Sequence, residues 1–125
     1  MNKFHAVKKT VDNITFDSMK ESRVYEQLKL LLRGKVITKL ILQPEFILQQ
    51  GYVNARGEKV LPIKYRADFS FYDNEEKRFR VIDVKGFKTA VYILKKKMFD
   101  NLMKDHGIVL EEIIGRSSMY GNRQI

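Results

Sequence analysis

A chain of 125 residues, 44% hydrophobic and 31% charged, fits one domain with a core of its own and has too many apolar residues among its charges for a disordered chain. Lys and Arg total 24 against 15 Asp and Glu, a formal net charge of +9, which points to a polyanionic partner, nucleic acid ahead of an anionic membrane surface. No cysteine is present, which excludes disulfides and a thiolate zinc site, and the two histidines, His5 and His106, lack metal-ligand spacing.

No apolar run reaches membrane-spanning length, and no signal-peptide core follows Met1. The expected setting is cytoplasmic and reducing, with no membrane partner. Residues 1–9 read as a basic, flexible arm. Thr10 to Phe16 reads as a small N-terminal β-hairpin, with Asp12-Asn13 suited to its turn. The first helix starts at Asp17-Ser18, where Ser18 and Glu21 have capping-box spacing. Val24, Leu28 and Leu31, widened by Tyr25 and Leu32, give it an apolar stripe, and Gly34 is its stop. Glu21 thus has a complete structural role as a cap. A competing role for the same carboxylate is a third acidic group at a site on the sheet.

Val36 to Gln50 has strand propensity, and Pro44 predicts a bulge, bend or edge position within it. Gly51 to Pro62 is the loosest segment, either a loop or a hairpin tip. Two runs then carry the chemistry. In Tyr65-Arg66-Ala67-Asp68-Phe69-Ser70-Phe71, alternation puts Tyr65, Ala67, Phe69 and Phe71 on one face and Asp68 on the other. In Phe79 to Lys85, Asp83 and Lys85 share a face. The polar Asp73-Asn74-Glu75-Glu76-Lys77 between them predicts a hairpin that brings Asp68 beside Asp83, where the second strand runs out into Gly86. Paired carboxylates suit a hard divalent cation, and a nearby lysine suits charge stabilisation at a phosphodiester. Taken singly, these are also ordinary edge-strand acids with a solvated lysine.

Thr89 caps a predicted second helix to about Asp105, with Gly107 as stop and Val91, Leu94, Met98, Leu102 and Phe99 as the expected buried face. Lys95, Lys96 and Lys97, flanked by Lys88 and Lys104, form either a solvated face or a phosphate-contacting one. Ile108 to Ile114 predicts a last strand beside the motif strands. Residues 116–125 read as a flexible tail, and the whole chain, 1–125, reads as one domain.

The ordered series Val11-Asp12-Asn13-Ile14-Thr15-Phe16-Asp17-Ser18, Glu21, Gln43-Pro44-x-Phe46, Ala67-Asp68-Phe69, Asp83-Val84-Lys85-Gly86 and the Thr89–Phe99 helix resembles the PD-(D/E)xK, or restriction-endonuclease-like, nuclease superfamily. More narrowly, it is similar to small endonuclease-like proteins of bacteriophages and prophages. Ala67 stands where the superfamily pattern has proline. The resemblance implies an α/β fold with a restriction-endonuclease-like core, a mixed β-sheet flanked by helices. It implies a Mg²⁺- or Mn²⁺-dependent endonuclease, a hydrolase acting on DNA in phage replication, recombination or packaging, in the host bacterial cytoplasm if phage-encoded. Asp68 and Asp83 carry over as metal ligands with the Val84 carbonyl, Glu21 as the helix carboxylate, and Lys85 as the water-orienting or charge-stabilising lysine. Lys88, Lys95, Lys96, Lys97, Arg23 and Arg66 are the candidate DNA contacts. The alternatives are a Holliday-junction or flap resolvase and a catalytically inactive DNA-binding module. Duplex or branched DNA is the expected partner, and paired cuts leave room for a homodimer.

Overall fold

A two-residue turn sets the entry to the fold. Asp12 and Asn13 both take positive φ (53° and 63°), the left-handed pair that suits a tight hairpin. They join β1 (Lys9–Val11) to β2 (Ile14–Phe16), with Thr10 opposite Thr15. The computed structural model describes residues 8–114. The expected tail over 116–125 lies outside them, as does all but the end of the expected N-terminal arm.

Helix α1 (Met19–Arg33) begins where the Ser18 hydroxyl accepts from the Glu21 amide at 3.0 Å, and Gly34 caps its end. Strands β3 (Ile37–Leu42), β8 (Phe69–Asp73), β9 (Arg78–Lys85) and β10 (Leu110–Ile114) form a mixed sheet in the order β10-β9-β8-β3. Strand β8 is antiparallel to both its neighbours, and β10 is parallel to β9. Joining parallel strands needs a crossover. Helix α2 (Ala90–Met103) supplies it, with the Thr89 hydroxyl accepting from the Tyr92 amide at 3.0 Å and Gly107, at φ 70°, turning the chain back.

Beyond β3 and β8 the antiparallel ladder continues into an arm. Strand β4 (Glu45–Gln49) pairs with β7 (Ile63–Arg66), and β5 (Tyr52–Val53) pairs with β6 (Lys59–Val60). The loose Gly51–Pro62 segment is therefore a hairpin tip, turned by Asn54, whose side-chain oxygen accepts from the amides of Arg56 and Glu58. An extra residue enters β3 between Thr38 and Ile41, where Lys39 takes φ 56°. A sharper break falls at Gln43-Pro44 and, opposite it, Ala67-Asp68. The ladder survives the break through two bonds: the Gln43 amide donates to the Asp68 carbonyl at 2.9 Å, and the Ala67 amide donates to the Pro44 carbonyl at 3.0 Å.

That bend corrects the expected continuous strand. Tyr65, Ala67, Phe69 and Phe71 are all buried, but not on one face. Phe69 and Phe71 join Phe16, Val24, Tyr25, Leu28, Ile37, Ile82 and Ile113 in the core under α1. Tyr65 and Ala67 join Val81, Tyr92, Phe99 and Leu110 in a second core under α2. Adjacent residues of β9 point to opposite faces, so Ile82 and Val81 place the two helices on opposite sides of the sheet. The fold is mixed α/β, a mixed sheet flanked by two helices. Among the described residues no helix is long and apolar enough to cross a membrane.

The buried face of α2 differs from expectation in part, since Phe99 is buried as expected and Met98 half-buried. Val91, Leu94 and Leu102 are 62%, 59% and 45% exposed, and Tyr92 and Phe99 are the buried pair. The packing is aromatic: Phe99 meets Phe46 edge-on at 4.9 Å, and Tyr92 and Phe99 both lie against Tyr65. An aromatic wall selects its own kind, because tilted and edge contacts add to area burial.

Arg80 is wholly buried beside the α1 core. Its guanidinium donates to Asp73 at 3.1 Å and to Glu111 on β10 at 2.9 Å, and it lies over the Phe71 ring. Asp73 also accepts from the amides of Glu75 and Glu76, so one carboxylate ties the β8–β9 turn to the core. Arg80→Ala leaves the buried Asp73 without that cation and is expected to cost about 3–5 kcal/mol. Urea denaturation measures this directly; a loss below about 1 kcal/mol, the size of a surface change, contradicts the assignment.

Candidate active site

The bend delivers Asp68 to the end of the sheet. Phe69 pairs with Ile82, and just outside that ladder the Asp68 amide donates to the Ile82 carbonyl at 3.2 Å, which sets Asp68 beside the Ile82–Asp83 stretch of β9. Asp68 Oδ2 accepts from the Val84 amide at 2.7 Å, which fixes its carboxylate against the main chain between Asp83 and Lys85. Asp83 is 1% exposed, and its Oδ2 has no hydrogen-bond partner. Lys85 Nζ lies 3.6 Å from that oxygen, an ion pair too long for a hydrogen bond. Glu21 comes from the first turn of α1, buried, and shares with Asp68, Gln43 and Phe16 a cleft of about 240 Å³.

These carboxyls titrate abnormally, and burial is the first cause in each. The Glu21 carboxyl is pushed up from the usual 4.5 to about 8 by burial, then by the charges of Asp68, Asp17 and Asp83. Asp83 is pushed up to about 6 by burial, against the pull of Lys85. Asp68 is raised by burial too, with the Val84 amide and Lys85 holding it back. Folding thus buries three acids and sets Asp68 and Asp83 within reach of Glu21, an arrangement typical of a site built to hold a cation or move a proton.

The Ser18 hydroxyl caps α1, but the Glu21 carboxyl is also pressed by Asp68, Asp17 and Asp83, so cap position and acidic site coincide at one residue. Among the described residues no group of three or more His, Asp or Glu side chains is arranged to hold a metal ion. What the residues do offer is Asp68 held against the Val84 main chain, and next to Val84 the buried Asp83, one oxygen of which makes no hydrogen bond. That donor set suits Mg²⁺, which takes few protein oxygens and keeps several waters.

The candidate DNA contacts are less uniform. Lys88 pairs with Glu112 at 3.0 Å and Lys96 with Asp100 at 2.7 Å. Lys95 Nζ donates to the Lys64 carbonyl at 2.8 Å, binding α2 to the arm. Arg66 reaches Gln43 at 3.4 Å. Arg23 and Lys97 are exposed. The sequence reading missed three neighbours of the site. Asp17 acts on Glu21. Tyr92 lies under Lys85, and Glu112 is opposite Asp83 on β10. Asp17 stood next to the cap, and Glu112 was visible as one of two adjacent acids of the last strand, which must face opposite sides.

Fold and site together define a small mixed α/β domain with an acidic cluster and one lysine at the end of its sheet. The chain belongs to the family described as "Protein of unknown function (DUF1064)", whose pattern matches residues 1–120. A search of curated proteins gave no match.

The raised carboxyls fix a pH dependence. The folded protein holds a proton on Glu21 that the unfolded chain releases above about 4.5, so this stability is full below that pH and is lost as pH rises through about 8. Asp83 adds the same trend toward about 6. In metal-free buffer, Glu21→Gln is expected to raise Tm relative to wild type at pH 9, with the gap closing by pH 4.5. A gap that is constant across this range, or widest at acid pH, contradicts the assignment.

Proposed function

We propose that this protein is a Mg²⁺- or Mn²⁺-dependent DNA endonuclease with a restriction-endonuclease-like core. The observation that carries the reading is Asp68, held by the Val84 amide at 2.7 Å, beside a buried Asp83 whose Oδ2 makes no hydrogen bond and lies 3.6 Å from Lys85 Nζ. Asp68, Asp83 and the Val84 carbonyl would hold the cation, with Glu21 as the further carboxylate of the site. A bound divalent cation supplies Lewis acidity toward a phosphodiester oxygen and acidifies the attacking water. Burial and its acidic neighbours hold the Glu21 carboxyl up at about 8, so it keeps a proton at neutral pH in the metal-free protein. Lys85 offsets the negative charge that grows on the phosphorus-bound oxygens as the water oxygen bonds to phosphorus and the bond to the leaving sugar oxygen breaks. The net charge of +9 favours a phosphate backbone as the substrate surface.

The test is a cleavage panel of linear duplex, nicked, flapped and four-way-junction DNA with Mg²⁺, Mn²⁺ or EDTA, run on wild type, Asp83→Asn and Lys85→Ala. Wild type is expected to cut at least one substrate, in a metal-dependent manner. Asp83→Asn is expected to lose metal affinity while keeping metal-free DNA binding. Lys85→Ala is expected to keep metal binding and lose about 10²–10³ in rate, the usual weight of one positioned electrostatic group. Both variants folded and cutting at the wild-type rate sinks the site assignment. Tight DNA binding with no cutting of any substrate gives the protein to the binding-module reading instead.

A further inference from the structure

Lys85 is the cation set against Asp83, and a lysine side chain has a flexible four-carbon stem to order. A catalytic ammonium has to be held where charge develops, because a displacement of about 1 Å costs about 10²-fold in rate. Asp83 alone cannot fix it: the pair is 3.6 Å apart, and Asp83 is itself a candidate ligand. On its other side, Lys85 Nζ sits 3.9 Å from the centroid of the Tyr92 ring. That ring is not free to turn. Its hydroxyl donates to Glu112 Oε2 at 2.6 Å, its amide is capped by Thr89, and its flank packs on Tyr65. Glu112 is anchored in turn by Lys88 at 3.0 Å and by its place opposite Asp83 in the β9–β10 ladder.

We propose that Tyr92 is a positioning residue whose ring, braced by Glu112 and Lys88, holds the Lys85 ammonium over the phosphodiester-cleaving site; the inference rests on the nuclease reading given above. An ammonium attracted to the face of an aromatic ring keeps its full charge, unlike one neutralised in a tight carboxylate pair. The ring sheds water from the side of the ammonium away from Asp83, and the Lys85 side chain keeps 21% of its surface exposed. Lys88 then serves as a brace for Glu112, which sets it apart from a simple phosphate contact, and Thr89-x-x-Tyr92 couples the start of α2 to the end of β9. The bland role for Tyr92 is core filling, since it is also buried between α2 and the sheet. The two roles differ in what they predict for Lys85.

The experiment has two arms. The first uses the metal-free protein and needs no activity: NMR of the Lys85 ε-methylene, assigned by its loss in Lys85→Ala. A lysine held over a ring shows an upfield ring-current shift, expected in wild type and in Tyr92→Phe and absent in Tyr92→Leu. A random-coil ε-methylene shift in wild type overturns the proposal without any variant having to fold. The second arm is a kinetic double-mutant cycle on whichever DNA wild type cuts. Tyr92→Leu is expected to lower kcat on the order of tenfold, with KM and metal affinity held, and Tyr92→Phe to restore most of it. In the Lys85→Ala background, Tyr92→Leu is expected to cost nothing further. An equal loss in both backgrounds overturns the proposal and leaves Tyr92 as packing. If wild type cuts no DNA, the nuclease reading fails, and the first arm still decides whether Tyr92 places Lys85.

Discussion

The Val84 amide donates to Asp68 across the two central strands, and the arrangement of the site depends on that bond. A hydrogen bond to a charged acceptor is worth about 1.5–3 kcal/mol, enough to set one rotamer of a short side chain. Asp68 is available to make it because the chain bends at Ala67-Asp68 and leaves the regular ladder there. The bend survives because the opposing strand breaks at Gln43-Pro44 and two backbone bonds bridge the gap. Proline has no amide to offer, its carbonyl serves as acceptor, and Gln43 before it turns the chain at φ 53°. One local feature thus ends the four-stranded sheet, launches the hairpin arm, divides the apolar residues between two cores and turns a carboxylate toward Asp83.

The cost of this arrangement is visible in the acids. Burial raises Glu21, Asp68 and Asp83, with added repulsion on Glu21 from Asp68, Asp17 and Asp83, on Asp68 from Asp17 and on Asp83 from Glu112, so the folded metal-free protein is less stable at neutral pH than it is with those groups protonated. The rest of the structure offsets this with conventional devices. Ser18 and Thr89 cap the helices. Arg80 is satisfied by Asp73 and Glu111. Two apolar cores close the faces of the sheet. Strain gathered at one place and compensated everywhere else is the pattern expected of a functional site.

Much of this was legible in the sequence because the signals are local. The turn at Asp12-Asn13, the caps at Ser18 and Thr89, the stop at Gly107 and the hairpin around Asp73–Lys77 each depend on a few adjacent residues. Asp83 and Lys85 sharing a face follows from strand alternation alone. The misses are nonlocal. Helix α2 carries two apolar stripes, one through Val91, Leu94 and Leu102 and one through Tyr92 and Phe99, and periodicity cannot choose between them. The choice is made by Phe46 and Tyr65, which lie far back in the chain and present an aromatic wall. The burial of Arg80 was equally hidden, because Glu111 is 31 residues away and pairs with it only once β10 lies beside β9. The division of Tyr65, Ala67, Phe69 and Phe71 between two cores requires the break at Pro44 to be matched across the ladder. Pro44 announced a bend in its own strand; that Asp68 bends with it is a property of the pair.

The central claim is that Asp68 and Asp83 form one cation site at the end of the sheet. Anomalous scattering from a crystal grown or soaked with Mn²⁺ tests it most directly, since the ion reports its own position without reference to activity. The account predicts an anomalous peak between the Asp68 and Asp83 carboxylates, near the Val84 carbonyl, that disappears in Asp83→Asn. A fully occupied peak elsewhere with this position empty, or an undiminished peak in Asp83→Asn, contradicts it.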